Sequence, residues 1–535
     1  MPAGETLPVE GPIACDQRLT DGTVLAGDLW RPAAPGRYPV LLMRQPYGKR
    51  IASTVVYAHP AWYAAHGYMV LVQDVRGRGA SSGAFSLFAG EEADGAEAVA
   101  FAAALPHCDG QVAMYGFSYQ ANTQLLALAG GAGLAALAPC MAGFDLHGDW
   151  AYEGGAFCLA ANLGWAAQLG AESARRAGDA EAFRALQAAA RSLPLGDGVT
   201  CRPAVLERYA GLTHYQDWLD HPARDGYWQA IAPRDRLAGR TAPLPAMLHV
   251  GGWYDAMLAG TLDGHAALGG TLTVGPWSHL PWGRRAGERD FGPGAGLSVD
   301  RLQLAFFDHH LKGRGPAPES RLFDAGLGAF VAFEGWAPQR PWFIASTGLA
   351  AATAEDGRLT PDPGGAGSDR FVHDPWRPVP AVGGHNAPLG GARERGAIDE
   401  RADVAVYTSP PLDRPLTLCG PVAAEIAVET DAPDFDLSAV LSVVEADGRA
   451  FNVTQGYRRA AGAAPPLRVA MRALRLTLQP GQRLRLSLAG ACFPAFPVNP
   501  GTAQDPTLAR PIDQRSICYQ VHHRGSMLLL PVLEG

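Results

Sequence analysis

The sequence predicts an α/β fold class joined to an all-β region, on three observations. Short apolar runs alternate with helix-compatible segments up to residue 145. Helical spacing with few strand signals then dominates residues 146–240, after which the sheet pattern returns. From residue 339 onward, short β runs are separated by Gly, Pro and Asp turns. Strands that alternate with helices form a parallel sheet, and short strands with frequent turns form a sandwich or barrel.

The length of the chain and these changes in pattern predict several domains. A chain of 535 residues is too long for one ordinary hydrophobic core. We expect residues 1–145 and 241–338 to form the two parts of one α/β domain, with residues 146–240 inserted as a helical cap. Residues 339–535 are expected to form a β jelly-roll domain.

Continuous apolar runs predict the strands of the first sheet, because a strand covered on both faces has no polar side. The predicted strands are residues 40–43, 68–73, 112–115 and 134–138, then 244–250 and 271–274 after the insertion. The predicted helices are residues 60–66, 91–105, 122–129, 171–193 and 302–311. In the β region we expect strands at 404–407, 422–428, 439–445, 474–478, 484–488 and 527–530, and extended loops over 348–402.

Composition excludes several classes of function. The formal net charge of −8 and the absence of a basic stripe argue against a nucleic-acid partner. No run of 18 apolar residues is present, so no membrane-spanning helix is expected. The first residues lack a signal-peptide pattern, which favours a cytoplasmic protein. The eight cysteines form no C-x-x-C pair, which favours buried thiols over a zinc site or disulfides. We expect no metal and no cofactor.

Ser118 is the candidate nucleophile. It stands in Gly116-Phe117-Ser118-Tyr119, between the predicted strand 112–115 and the predicted helix 122–129. A sharp strand–turn–helix of this kind exposes a serine at the edge of a sheet. Taken alone, the motif is also consistent with a serine that is only a small residue in a tight turn, because short motifs have low specificity.

Two later strand ends supply the partners that a serine nucleophile needs. Asp255 follows the apolar strand 244–250, and His279 follows the strand 271–274. The order Ser, Asp, His is that of α/β-hydrolases. We therefore predict His279 as the general base and Asp255 as the residue that orients it. For Asp255, helix capping is the competing interpretation, because helix-compatible residues 256–262 follow.

The tetrahedral intermediate of acyl transfer requires hydrogen-bond donors for its oxyanion. The backbone N–H of Tyr119 is one candidate by position, since it follows the nucleophile. The phenol of Tyr47, in the loop after strand 40–43, is the second candidate.

Together, five motifs closely resemble the cocaine esterase family, which is grouped with X-Pro dipeptidyl-peptidase-like and α-amino-acid ester hydrolases. The motifs are Arg44-Gln45-Pro46-Tyr47, Asp74-Val75-Arg76-Gly77, Gly116-Phe117-Ser118-Tyr119, Gly252-Trp253-Tyr254-Asp255 and Gly275-Pro276-Trp277-Ser278-His279. The resemblance covers nearly the whole chain. It implies an α/β-hydrolase domain with an inserted helical cap and a C-terminal jelly roll. It also implies the catalytic roles given above for Ser118, Asp255, His279 and Tyr47.

The resemblance further implies that Trp150 and Trp165 line the acyl pocket, with packing within the cap as the competing interpretation. Met257 stands where the family has an aromatic residue. Gln120 stands where a strict G-x-S-x-G motif has glycine, and Ala121 where the family elbow has glycine. The α-amino-acid ester hydrolases have acidic residues just after the catalytic Asp, whereas this chain has Ala256 and Met257.

The predicted function is hydrolysis of small-molecule carboxylic esters, with amides left open, through an acyl-serine intermediate. The expected partner is the small-molecule substrate, and a homodimer is left open. An aminopeptidase of X-Pro type, or a β-lactam acylase or α-amino-acid ester hydrolase, is the alternative within the same chemistry. A non-enzymatic alternative is a carbohydrate- or partner-binding module in residues 340–535.

Overall fold

The computed structural model describes residues 6–51, 54–363, 365–461 and 465–534. In the first part, strands and helices alternate as the apolar runs predict. The elements are β1 (Val9–Ala14), β2 (Gln17–Arg18), β3 (Val24–Leu25), β4 (Gly27–Pro32), β5 (Tyr38–Gln45), α1 (Pro60–Ala65), β6 (Met69–Asp74), α2 (Glu91–Ala103), β7 (Cys108–Phe117), α3 (Tyr119–Ala129) and β8 (Ala136–Cys140).

A mainly helical segment follows β8 and is called the cap below. It starts with a π-type turn (His147–Ala151) and then contains β9 (Tyr152–Glu153), β10 (Ala156–Phe157), α4 (Leu159–Ala177), α5 (Ala180–Arg191), α6 (Ala204–Arg208), a 3-10 turn (Ala210–Leu212), α7 (Tyr215–Asp220), α8 (Gly226–Ile231) and α9 (Pro233–Arg236). The sequence predicts one helix over residues 171–193, but two helices occur here. Gly178 adopts a left-handed conformation (φ +75°) that ends α4, and the Asp179 carboxylate accepts N–H groups of the first turn of α5.

The chain then returns to the first sheet. The elements are β11 (Ala246–Tyr254), α10 (Leu258–Leu268), β12 (Thr271–Ser278), β13 (Arg285–Ala286), β14 (Arg289–Asp290), α11 (Val299–Lys312), β15 (Arg321–Asp324) and β16 (Ala329–Ala332). Within the described residues the sheet order is β1-β4-β6-β5-β7-β8-β11-β12-β15-β16. The strands from β6 to β15 are parallel, as predicted, but β1, β4 and β16 pair antiparallel at the edges.

Helices cover both faces of this sheet. Tyr63 of α1 and Phe306 and Phe307 of α11 are fully buried against one face. Ala98 of α2 and Leu125 of α3 pack against the other face. This double cover explains why the central strands are continuously apolar. The fold class predicted from the sequence, an α/β-hydrolase with an inserted helical cap, is confirmed.

The last part of the chain is an all-β, barrel-like domain of the jelly-roll type. Its elements are β17 (Gln339–Ala345), β18 (Arg358–Thr360), β19 (Ser368–His373), α12 (Gly396–Asp399), β20 (Val404–Thr408), β21 (Leu416–Thr430), β22 (Asp434–Val444), β23 (Ala450–Ala461), β24 (Leu467–Leu478), β25 (Arg483–Ala489) and β26 (Ile517–Pro531). The region 348–402, predicted as loops, contains β18, β19 and α12. The predicted domain limits after residues 145, 240 and 338 stay predictions.

Candidate active site

The carboxyl ends of four parallel strands bring the predicted site residues to one edge of the first sheet. Ser118 directly follows β7, Asp255 follows β11 and His279 follows β12, while Tyr47 lies two residues beyond β5. Because β5, β7, β8, β11 and β12 are neighbours with the same direction, their ends meet at this edge. Residues that are up to 232 positions apart, 47 and 279, therefore meet at one place. This edge is where open α/β sheets bind ligands.

Ser118 occupies a strained turn between β7 and α3. Its backbone angles are φ +59° and ψ −125°, a conformation that side-chain-bearing residues rarely adopt. Its N–H donates to the carbonyl of Cys140 on the neighbouring strand, at 3.0 Å. The turn also requires Gly116, because a Cβ there would lie 2.4 Å from the Cβ of Gln120. The neighbouring elements thus hold the serine in a conformation that aims it out of the sheet.

Gln120, which stands where a strict G-x-S-x-G motif has glycine, has a role in the turn. Its side chain is buried and folds back on the turn, where Oε1 accepts the N–H of Phe117 at 3.1 Å. A glycine at this position has no side chain that could make this bond. Gln120 therefore stabilises the elbow by a hydrogen bond, and Ala121 is fully buried in α3 behind it.

Asp255 and His279 form a direct pair. The Nδ1 of His279 lies 2.7 Å from Asp255 Oδ1, and Asp255 is fully buried. An imidazole that donates Nδ1–H to a carboxylate keeps Nε2 free to accept a proton. The His279 ring packs 5.6 Å from the ring of Phe117, the residue before the serine. Among the described residues, no hydrogen bond joins Ser118 Oγ to His279, as is common in sites without substrate.

The competing interpretation of Asp255 as a helix cap is not what the structure shows. Helix α10 begins at Leu258, and its N-cap is Met257, which makes no side-chain capping bond. The Asp255 carboxylate is directed at His279 instead. The side chain of His279 is 35% exposed, so the pair is buried on the carboxylate side and open on the imidazole side.

Tyr119 and Tyr47, the candidate oxyanion donors, lie just beyond the neighbouring strands β7 and β5. Tyr119 is the first residue of α3, where N–H groups have no intrahelical acceptor. Its phenol points away from the site, donates to Glu91 Oε1 at 3.0 Å and stacks on Phe88. Glu91 in turn forms a buried ion pair with Arg44 at 2.6 Å. Of the two donor groups of Tyr119, only the backbone N–H is therefore suited to bind an oxyanion.

The candidate oxyanion donor of Tyr47 is its phenol O–H and not its backbone N–H. The side chain is partly buried, and its oxygen accepts the indole N–H of Trp165 at 3.2 Å. Burial raises the pKa of Tyr47 to about 12, against the opposing effects of Trp165, Arg78 and the Ser118 hydroxyl. The phenol thus stays protonated at neutral pH and can donate its hydrogen.

The three predicted pocket residues belong to, or pack against, one hydrophobic cluster. Trp165 and Met257 are half-buried and pack, together with Tyr47, against the hydrophobic cluster that contains Trp150 and Tyr119. Trp150 is only 7% exposed and meets Trp165 edge-on, with ring centroids 4.9 Å apart. Trp165 and Met257 thus keep some exposed surface, whereas Trp150 mainly packs within the cap.

Two residues near the site escape prediction from the sequence. Trp218 of α7 stacks on Trp165 with ring centroids 5.6 Å apart. Arg78, in the loop after β6, is buried, lies 3.9 Å above the Phe85 ring and donates to the carbonyl of Leu169 in α4. Burial lowers the pKa of Arg78 to about 10. The double Arg-Gly pattern at residues 76–79 is the only sequence signal for Arg78.

The described residues also bear on cofactors and partners. They contain no group of three or more His, Cys, Asp or Glu side chains that could hold a metal ion. None of the helices in the described ranges is long and apolar enough to cross a bilayer. All eight cysteines are free thiols, and five of them are buried.

Comparison with known proteins identifies the family. Residues 21–281 match the family model described as X-Pro dipeptidyl-peptidase (S15 family), and residues 315–524 match the X-Pro dipeptidyl-peptidase C-terminal non-catalytic domain. The chain is 32% identical to the cocaine esterase of Rhodococcus sp. (strain MB1 Bresler), over 96% of this chain and 97% of that protein. The chain belongs to the cocaine esterase family. It is accordingly a serine hydrolase, as the five motifs imply.

Solved structures agree on the architecture of this family. An aminopeptidase from a marine sediment archaeon, Thaumarchaeota archaeon, superposes with a TM-score of 0.80 at 22% identity, covering 98% of this chain and 96% of its own. An α-amino acid ester hydrolase superposes with a TM-score of 0.78 at 20% identity, covering 97% and 96%. At these identities the likeness concerns the fold alone.

Proposed function

We propose that this chain is a carboxylesterase that cleaves small esters through an acyl intermediate on Ser118. The observation that carries the proposal is the strained Ser118 at the end of β7, at the same sheet edge as the hydrogen-bonded pair of Asp255 and His279. A serine hydroxyl is a poor nucleophile by itself and needs an adjacent base. The relative named cocaine esterase supports an ester as the substrate.

In the acylation step, His279 Nε2 takes the hydroxyl proton of Ser118 while Oγ attacks the ester carbonyl carbon. The imidazolium that forms is stabilised by the carboxylate of Asp255, which already accepts the Nδ1–H. The carbonyl oxygen becomes an oxyanion, which accepts hydrogen bonds from the Tyr47 phenol and the Tyr119 N–H. Preorganised donors of this kind usually make the largest contribution to lowering the barrier.

Acylation ends when the tetrahedral intermediate collapses and His279 gives the proton to the departing alcohol, which leaves the acyl group on Ser118. A water molecule then attacks the acyl-Ser118 with His279 again acting as base. The same two donors stabilise the second oxyanion. Collapse of that intermediate releases the carboxylic acid and regenerates the Ser118 hydroxyl.

The wall of the site favours an uncharged acyl group. Trp165 contacts Tyr47 directly, Trp150 packs against Trp165, and Met257 packs against the same apolar cluster. Ala256 and Met257 follow Asp255, so this segment supplies no carboxylate for a substrate ammonium. An aminoacyl ester or a free peptide N-terminus therefore finds no counter-charge on this segment to repay its desolvation.

A substrate panel tests the proposal. We expect p-nitrophenyl acetate and benzoate to be cleaved with higher kcat/KM than matched α-aminoacyl esters, glutaryl amides and X-Pro amides. Ser118→Ala should abolish each measurable activity. A preference for substrates with a free α-amino group would favour the aminopeptidase or α-amino-acid ester hydrolase alternative. Glycan binding without any esterase activity would favour a binding module in residues 340–535.

A cytoplasmic location and a homodimer stay predictions. The buried thiols support a reducing compartment, where cysteines remain unpaired. Cell fractionation tests the location of the protein, and light scattering tests its assembly.

A further inference from the structure

One hydrogen bond joins the cap to the proposed oxyanion donor. Trp165 belongs to α4 of the cap, and Tyr47 follows β5 of the α/β sheet. The indole Nε1–H of Trp165 donates to the phenol oxygen of Tyr47 at 3.2 Å, across 118 positions of sequence. The contact lies at the sheet edge that carries Ser118, because Tyr47 and Ser118 follow the neighbouring parallel strands β5 and β7.

This bond restricts where the phenol hydrogen can point. An indole N–H can only donate, whereas a phenol both donates and accepts. With Trp165 bound as donor, the Tyr47 oxygen is the acceptor in that contact, so its own hydrogen must point elsewhere. Ser118 follows β7, the strand next to that of Tyr47, and an oxyanion formed by attack of Ser118 would develop on that side. A hydrogen bond accepted by a hydroxyl also strengthens the bond that it donates.

The surrounding rings hold the indole in place. Trp218 stacks on Trp165 at an interplanar angle of 15°, and Trp150 meets it edge-on at 88°. Phe88, which stacks on Tyr119 beneath the elbow, has its ring centroid 6.4 Å from that of Trp165. The N–H direction is therefore fixed by cap residues on one side and by the catalytic domain on the other.

We propose that Trp165 is a positioning residue that orients and polarises Tyr47, so that the oxyanion hole is complete only when the cap is docked. The inference rests on the proposed esterase function. It assigns the indole N–H a role separate from that of the indole face, which is the part of Trp165 that a substrate acyl group would contact.

A double-mutant cycle of Tyr47→Phe and Trp165→Phe tests the proposal, with kcat and KM measured for two p-nitrophenyl esters of different acyl size. We expect Trp165→Phe to lower kcat by about tenfold, the effect of one lost hydrogen bond. In the Tyr47→Phe background the same change should leave kcat nearly unaltered. Effects that multiply, or a loss confined to KM and dependent on acyl size, would overturn the proposal.

One further variant separates the N–H of Trp165 from the bulk of its ring, and a second variant serves as the control. Replacing Trp165 by benzothienylalanine keeps the bicyclic shape and exchanges the N–H for sulfur, and it should lower kcat as Trp165→Phe does. Wild-type kcat in that protein would contradict the proposal. Trp376→Phe is the matched control, because Trp376 donates its indole N–H to Pro511 in the β domain, away from the site, and its kcat should equal the wild-type value.

Failure of this inference can be told from failure of the proposed function. A wild-type protein without Ser118-dependent ester hydrolysis overturns both. Multiplicative effects in an active esterase overturn only the role of Trp165.

Discussion

Among the described residues, two clusters that contain a serine, a histidine and an aspartate differ in hydrogen bonding, burial and backbone conformation. The first is Ser118, Asp255 and His279 at the edge of the α/β sheet. The second lies in the β domain and consists of Ser346 after β17, Asp369 on β19 and His523 on β26. Composition alone does not distinguish them.

In the β-domain cluster the aspartate binds the serine directly. Ser346 Oγ lies 2.7 Å and 2.8 Å from the two carboxylate oxygens of Asp369, which therefore accept its hydrogen. His523 Nε2 lies 2.8 Å from Asp369 Oδ2 and 3.1 Å from Ser346 Oγ. The imidazole nitrogen nearest the serine is thus shared with the carboxylate, and it is not held as a free base.

The surroundings of the two clusters differ as well. Asp369 also accepts the Tyr407 phenol and the N–H of Ala350, and both Asp369 and His523 are buried. Ser346 follows the end of a strand without a strained turn, whereas Ser118 has φ +59°. A nucleophilic serine requires an acid that orients the base and a base nitrogen that is left free for the serine. A compact polar network satisfies its own hydrogen bonds and stabilises the fold instead.

The largest difference should appear in the serine substitutions. Ser118→Ala removes the nucleophile and should lower kcat for p-nitrophenyl acetate by about 10⁶-fold, as in other serine hydrolases. Ser346→Ala should leave kcat/KM unchanged. Stopped assays on purified variants measure both, and loss of activity in the Ser346 variant with its fold intact would break the distinction.

The aspartates should differ next. Asp255→Asn is expected to lower kcat by about 10⁴-fold, because an amide favours the wrong imidazole tautomer. Asp369→Asn should keep kcat but lower the free energy of unfolding by about 1–3 kcal/mol, since its donors lose a charged acceptor. Urea unfolding and esterase assays on the same preparations decide between these outcomes. Equal activity losses in the two variants would contradict the assignment.

The two tyrosines offer a smaller contrast. Tyr47→Phe should lower kcat by about 10²–10³-fold with little change in stability, as expected for the loss of one oxyanion donor. Tyr407→Phe should instead lower the free energy of unfolding by about 1 kcal/mol at unchanged kcat. If Tyr47→Phe retained full kcat, the oxyanion hole would have to be formed by other donors.

The last contrast concerns stability alone, at Ser346. Its hydroxyl donates to Asp369 and accepts the N–H of Gly348 at 2.9 Å. Ser346→Ala should therefore lower the free energy of unfolding by about 1–2 kcal/mol. Ser118→Ala, which removes no bond of this kind, serves as the matched control in the same urea titration, and an equal loss in both would argue against a structural role.

The fold was predictable where one physical signal dominates. Continuous apolar runs located β5, β6, β7, β11 and β12, because buried strands admit no polar side. The break at Gly178 was missed, because the helical spacing continues on both sides of this single left-handed glycine. The strand β19 was missed, because it is short and lies in a region rich in Gly, Pro and charged residues. The antiparallel edges of the sheet depend on pairing between distant strands, which periodicity does not report.

The candidate site was predictable because its residues follow strands that the sequence reveals. Ser118, Asp255 and His279 each follow a recognisable strand, and parallel strands bring their ends together. Trp218 and Arg78 were not predictable, because their place beside the site depends on how the cap packs on the sheet. The Ser346 cluster joins residues up to 177 positions apart on antiparallel strands, so no local sequence pattern indicates it.

Covalent labelling tests the central distinction most directly. The wild-type protein should react with a p-nitrophenyl phosphonate at one site per chain, with loss of esterase activity in step with labelling. Peptide mass spectrometry should place the phosphonyl group on Ser118 and leave Ser346 unmodified. Labelling of Ser346, or full inactivation with an unmodified Ser118, would contradict the assignment of the active site to the edge of the α/β sheet.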